Sequence, residues 1–153
     1  MTIAQERRKP VVAAAVSHPL EPLTPDEMSA AIAIIKEQKN LSTSVRFVSV
    51  TLKEPPKETV LSFSSGDAIA RKAFIVLLDN ATAETYEAVV SLETGQIDTW
   101  EYIHNVQPPI MLDEFVECEA AVKANPDFQA AIAKRGITNP DLVMVDPRLR
   151  QAN

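Results

Sequence analysis

Leu23-Thr24-Pro25-Asp26-Glu27-Met28 opens a helix by several local signals at once. Thr24 supplies a capping hydroxyl, Pro25 suits the first helical position, and Glu27 completes a Thr-x-x-Glu capping box. Leu23 and Met28 hold the positions of a hydrophobic staple. Met28, Ala31, Ile32 and Ile35 then recur at i, i+3, i+4 and i+7, one apolar stripe of a helix expected to end near Gln38.

Strand-like segments follow. Val45 to Lys53 is β-branched and aromatic, and Pro55-Pro56 stops it; Thr59 to Ser64 is a weaker strand candidate. Ala73 to Leu78 is apolar throughout, as expected of a central strand covered on much of both faces. In Glu84 to Leu92, the residues Tyr86, Ala88, Val90 and Leu92 share a face. Thr94-Gly95 makes a turn, and Gln96 to Ile103 returns with Trp100 and Tyr102 on one side. Short connections imply antiparallel neighbours. Residues 18–105 are therefore expected to form an α+β domain, a helix packed on an antiparallel sheet of about four strands.

Asn105 to Pro109 breaks the pattern as a linker. Helices are expected at about Leu112 to Ala124, with Phe115, Cys118, Glu119 and Val122 along one side, and after the cap Asn125-Pro126-Asp127, with Phe128, Ala131 and Ile132. Lys134 and Arg135 suit the last turn of the second, and Gly136 the position beyond it. Leu142 to Val145 looks like a short strand. Residues 106–153 thus read as a truncated second α+β domain, a helical hairpin plus one strand, and residues 1–17 as a flexible tail.

Net charge is −6, and the basic residues, singly or in short groups such as Arg7-Arg8-Lys9, have no aromatic platform beside them. Nucleic acid is therefore an unsuitable partner. The longest strongly apolar run, Ala73 to Leu78, is far too short to cross a membrane. Arg7 to Val16 only faintly imitates a secretory signal. With Cys118 as the single cysteine, an internal disulfide is impossible, which favours a reducing compartment and a cytoplasmic location.

Candidate chemistry is sparse. His18 and His104 flank the first domain, and with Cys118 they make three metal donors only if all converge, which their contexts give no reason to expect. His18 is instead expected to bind backbone near the helix start, and His104 to sit in a connection. Glu117 and Glu119 beside Cys118 disfavour a thiolate, so Cys118 reads as a packing residue. Three glycines, widely separated, cradle no phosphate. The acidic pairs Asp26-Glu27 and Asp113-Glu114 fall in helical first turns, where capping explains them better than catalysis. No catalytic, cofactor-binding or metal-ligating residue is assigned.

His18 to Glu27, Arg46 to Lys57, Arg71-Lys72-Ala73-Phe74 and Asp98-Thr99-Trp100 together resemble the first of two adjacent amino-terminal domains in copper-dependent primary-amine oxidases. Pro108-Pro109-Ile110, Glu114 to Glu119, Arg135 to Thr138 and Val143 to Pro147 are similar to the opening of the next domain; the resemblance covers about residues 18–147. It implies a cystatin-like α+β fold without the active centre. The copper-binding histidines, the tyrosine that becomes topaquinone in a Thr-x-x-Asn-Tyr-Asp/Glu context, and an aspartate base lie in a separate carboxy-terminal β-sandwich of that family. Tyr86 and Tyr102 lack the Asn of the quinone context, so copper and topaquinone are implied only for a full-length member. The family usually follows Asp146-Pro147 with Trp, where Arg148 stands here, which fits a fragment, a truncated frame or a stand-alone protein. The implied role is a share in shell, substrate channel and dimer, with a catalytic amine-oxidase domain or a second copy as partner. The alternative is a stand-alone interaction or small-ligand-binding module.

Overall fold

A computed structural model describes residues 17–147, so the tail expected over residues 1–17 lies outside the described residues except for Ser17. The chain divides into two compact units, Met1–Pro108 and Pro109–Asn153.

In the first unit, α1 (Pro25–Lys39), β1 (Val45–Leu52), α2 (Lys57–Ser62), β2 (Lys72–Asp79), β3 (Glu84–Ser91) and β4 (Gln96–Ile103) follow in order. The strands form one sheet in the order β1-β2-β3-β4, every neighbouring pair antiparallel. The class is α+β, and helix α1 packs over β3 and β4. Its start is the expected capping box: Thr24 Oγ1 accepts the Glu27 N–H at 3.2 Å, and Glu27 Oε2 accepts the Thr24 N–H at 2.8 Å. At the other end the Gln38 amide donates to the Gly95 carbonyl at 2.8 Å and its oxygen accepts the Ile97 N–H at 3.4 Å. Helix and hairpin turn are thereby tied together.

The core lies between α1 and one sheet face, where Ala31, Ile34, Ile35, Ala73, Ile75, Leu77, Ala88, Val90 and Leu92 are buried. Tyr86, Ala88, Val90 and Leu92 share this face as expected, and Tyr86, half-buried, packs at its margin with Trp100. The opposite face of β2 is only half covered: Phe74, Val76 and Leu78 keep intermediate exposure. The apolar stripe of α1 is rotated from the expected one. Its buried positions are Glu27, Ala31, Ile34 and Ile35, while Ile32 and Met28 lie at the edge.

Thr59 to Ser64 does not form a strand. Lys57–Ser62 is a short helix instead, begun by the Thr59 and Val60 N–H groups donating to the Pro56 carbonyl. Two successive prolines leave β1 without ladder donors there, so local bonds satisfy the backbone better than a sheet edge would.

In the second unit, α3 (Leu112–Ala124) and α4 (Pro126–Ala133) are followed by a 3₁₀ turn, Pro140–Leu142. Asn125 caps α4 by accepting the Asp127 and Phe128 N–H groups. Gly136, at φ +80°, ends it. The Ile137 and Gly136 N–H groups return to the Ile132 and Ala133 carbonyls, a Schellman closure. The strand expected over Leu142 to Val145 is absent among the described residues. Asn139 accepts the Asp141 N–H and starts the 3₁₀ turn. Leu142 and Met144 are 79% and 83% exposed, and a β-prone run with no ladder partner stays irregular.

Candidate functional site

The only two histidines and the one cysteine have structural surroundings. His18 Nδ1 accepts the Leu20 N–H at 3.1 Å, the backbone contact expected of it, and its ring meets Phe63 edge-on. His104 stands 4.1 Å from the Tyr102 ring, just past β4. Cys118 is a half-buried thiol of α3. No group of three or more His, Cys, Asp or Glu able to hold a metal ion occurs among the described residues. Tyr86 donates to Glu84 at 2.8 Å and packs 5.2 Å from Trp100 and 5.5 Å from Tyr102. Among the described residues neither histidine stands in a group of three metal donors, and neither tyrosine follows an Asn. Among the described residues, no helix is long and apolar enough to cross a membrane.

What sequence reasoning missed is Arg71. Glu27, expected only to cap α1, is 1% exposed, and Arg71, just ahead of β2, is 7% exposed. The two meet as a fork: Nε donates to Oε1 at 2.8 Å and Nη2 to Oε2 at 2.9 Å. The remaining reach of the guanidinium goes to backbone. Nη1 donates to the Glu21 carbonyl at 2.7 Å and Nη2 to the Pro22 carbonyl at 3.0 Å. One planar cation thus binds the proline-rich lead-in, the first turn of α1 and the entry to β2, a task Lys lacks the geometry for. The only advance signal was a pair of cations, Arg71-Lys72, just ahead of the all-apolar run Ala73 to Leu78.

The Arg71 hydrogen bonds hold the Glu27 carboxyl below the ordinary glutamate range, against the opposing pull of burial and with help from the Thr24 N–H. A folded-state value below the unfolded one gives stability that is fully present above about pH 4.3 and lost as pH falls through the folded value. The stability gap between wild type and Glu27→Gln should therefore narrow as urea titrations move from pH 5 towards pH 2.5. A gap that stays constant over that range would contradict this assignment.

A second feature is concave. A pocket of about 510 Å³ lies beside the exit of β1, lined by Pro19, Pro55, Phe63 and Ile69 together with Lys53 and Lys72. The Lys53 N–H donates to the Lys72 carbonyl at 2.9 Å, so the two lysines oppose each other on adjacent chain segments. Lys72 pairs with Asp98 at 2.7 Å. Lys53 lies 5.6 Å over the Phe74 ring.

Known proteins resemble the chain as a whole. Residues 24–100 match the model of the AGAO-like N2 domain. A primary amine oxidase of Arthrobacter sp. (strain P1) is 50% identical over 133 residues, 86% of this chain and 20% of that protein. The peroxisomal copper-containing diamine oxidase 1 of Nicotiana tabacum is 32% identical over 85% of this chain and 21% of its own length. The crystal structure of a copper-containing benzylamine oxidase from Hansenula polymorpha shares the fold, with a TM-score of 0.67 at 20% identity over 78% of this chain and 20% of that one. The chain spans about one-fifth of the length of these relatives. With half of its residues in the match and the expected helix-on-sheet unit in place, this chain belongs to the AGAO-like N2 domain family, the amino-terminal region of copper amine oxidases.

Proposed function

We propose that the chain acts as a non-catalytic amino-terminal region of a copper/topaquinone primary-amine oxidase. It contributes to the shell, substrate channel and dimer around a site that converts primary amines to aldehyde, ammonia and hydrogen peroxide. The observation that carries this reading is a family match over residues 24–100 in a chain with two histidines and no described metal-holding cluster. Copper and topaquinone belong, on this reading, to a catalytic domain that is the chain's partner, and a second copy of the assembly completes the dimer. A lone cysteine without a disulfide suits a cytoplasmic setting.

Two measurements test it. The purified chain, loaded with Cu(II) and desalted, should retain well under one equivalent of copper and release no peroxide with benzylamine or methylamine. Mixed with an amine-oxidase chain lacking its own amino-terminal domains, it should form a stoichiometric complex in light scattering. Stoichiometric copper with amine-dependent peroxide would overturn the non-catalytic part. Failure of the complex to form would overturn the part in shell, channel and dimer.

A further inference from the structure

The pocket beside β1 joins an apolar wall to a pair of ammonium groups, and the geometry points to a binding site for a small amphipathic anion. The class it fits is a carboxylate or sulfonate carried on an aromatic or short alkyl body. Volume comes first: about 510 Å³ lies within the range of small-molecule sites, which run from roughly 300 to 1,000 Å³. Pro19, Pro55, Phe63 and Ile69 offer the apolar body a wall of rings and a branched side chain. Three of these four are held in place by elements already described. Pro55 sits at the rigid exit of β1, Phe63 at the end of α2, and Pro19 is buried in the lead-in that Arg71 fastens.

Charge decides the ligand's sign. Lys53 and Lys72 oppose each other, an arrangement that is repulsive by itself. Asp98, the extra residue of a bulge in β4, answers Lys72 at 2.7 Å but does not line the pocket. Lys53 has no carboxylate partner among the described residues, and its ammonium lies over the Phe74 ring. Glu54 also lines the wall, and no ion pair joins it to either lysine. A ligand carboxylate near Lys53 supplies the partner that Asp98 gives Lys72, whereas a ligand ammonium would meet a cation with no carboxylate of its own. Among the lining residues the two lysines outnumber the one carboxylate, Glu54.

The test uses the full chain and the probe 8-anilinonaphthalene-1-sulfonate, with octanoate, octanol and octylamine as competitors. One saturable equivalent of probe should bind, displaced by octanoate at least about tenfold more effectively than by octanol or octylamine. Lys53→Met and Ile69→Asp should each weaken probe binding by about tenfold, Glu54→Gln should tighten it, and Lys134→Met, in the other unit, should leave it unchanged. Circular dichroism and urea midpoints confirm that each variant is folded. Non-saturable probe uptake, equal displacement by all three competitors, preference for octylamine, or indifference to both Lys53→Met and Ile69→Asp would each overturn the site.

Discussion

Arg71→Met should lower the unfolding free energy of the amino-terminal unit by about 3–5 kcal/mol, measured by urea titration at pH 7. The cost comes less from the lost attraction than from what stays behind. Glu27 is 1% exposed, so without the guanidinium its carboxylate is a buried charge with Thr24 alone to answer it. The Glu21 and Pro22 carbonyls lose their donors in the same step. Arg71→Lys should recover only part of the loss, because an ammonium cannot make both arms of the fork and reach two carbonyls as well. The double variant Glu27→Met/Arg71→Met is the decisive measurement. Removing both charges should return much of the stability, with a coupling energy of at least about 1 kcal/mol. A loss under about 1 kcal/mol in Arg71→Met would show that the fork is not what fastens the lead-in to α1.

This junction also shows where sequence reading reaches its limit. The start of α1 was legible because every part of its signal lies within six residues, Leu23 to Met28, and the cap, the proline position and the capping box recur in the structure. The same local completeness concealed the rest. Once Glu27 was explained as the third residue of a capping box, nothing remained to suggest a partner 44 positions away. Counting the stripe from Met28 placed Ile32 on it, whereas the buried face starts one residue earlier, at Glu27, and takes in Ile34. The hairpin from Glu84 to Ile103 was readable from alternation and the Thr94-Gly95 turn, and its strands end within a residue of the expected positions. Thr59 to Ser64 and Leu142 to Val145 failed for one reason. β-branched residues favour a pleated surface only where a neighbouring strand supplies it, and neither segment has one. The pocket was invisible because it depends on α2 where a strand was expected. Pro55-Pro56 was legible as a stop, but the wall it forms with Phe63 and Ile69 exists only after the chain has turned back.

Ile75→Ala should cost about 4 kcal/mol, near the upper part of the range for truncating a buried aliphatic side chain. Ile75 is fully buried on β2, a strand with neighbours on both sides, where it pairs with Val50 of β1 and Ala88 of β3. The expense of such a truncation depends on how far the surroundings collapse into the space. Collapse is resisted here by ladders on either side. Ala31, Ala73 and Ala88 in the same cluster have no side-chain length to swing inwards. The substitution should lower the urea midpoint while leaving the slope of the transition unchanged, since a cavity alters stability without altering how much surface unfolding exposes. Leu61→Ala provides the control. Leu61 lies on α2 and is 75% exposed, so its loss should move stability by no more than about 0.5 kcal/mol. If both truncations cost the same, the core does not lie between α1 and β2–β4, and the covered side of the sheet is the face that carries Phe74, Val76 and Leu78.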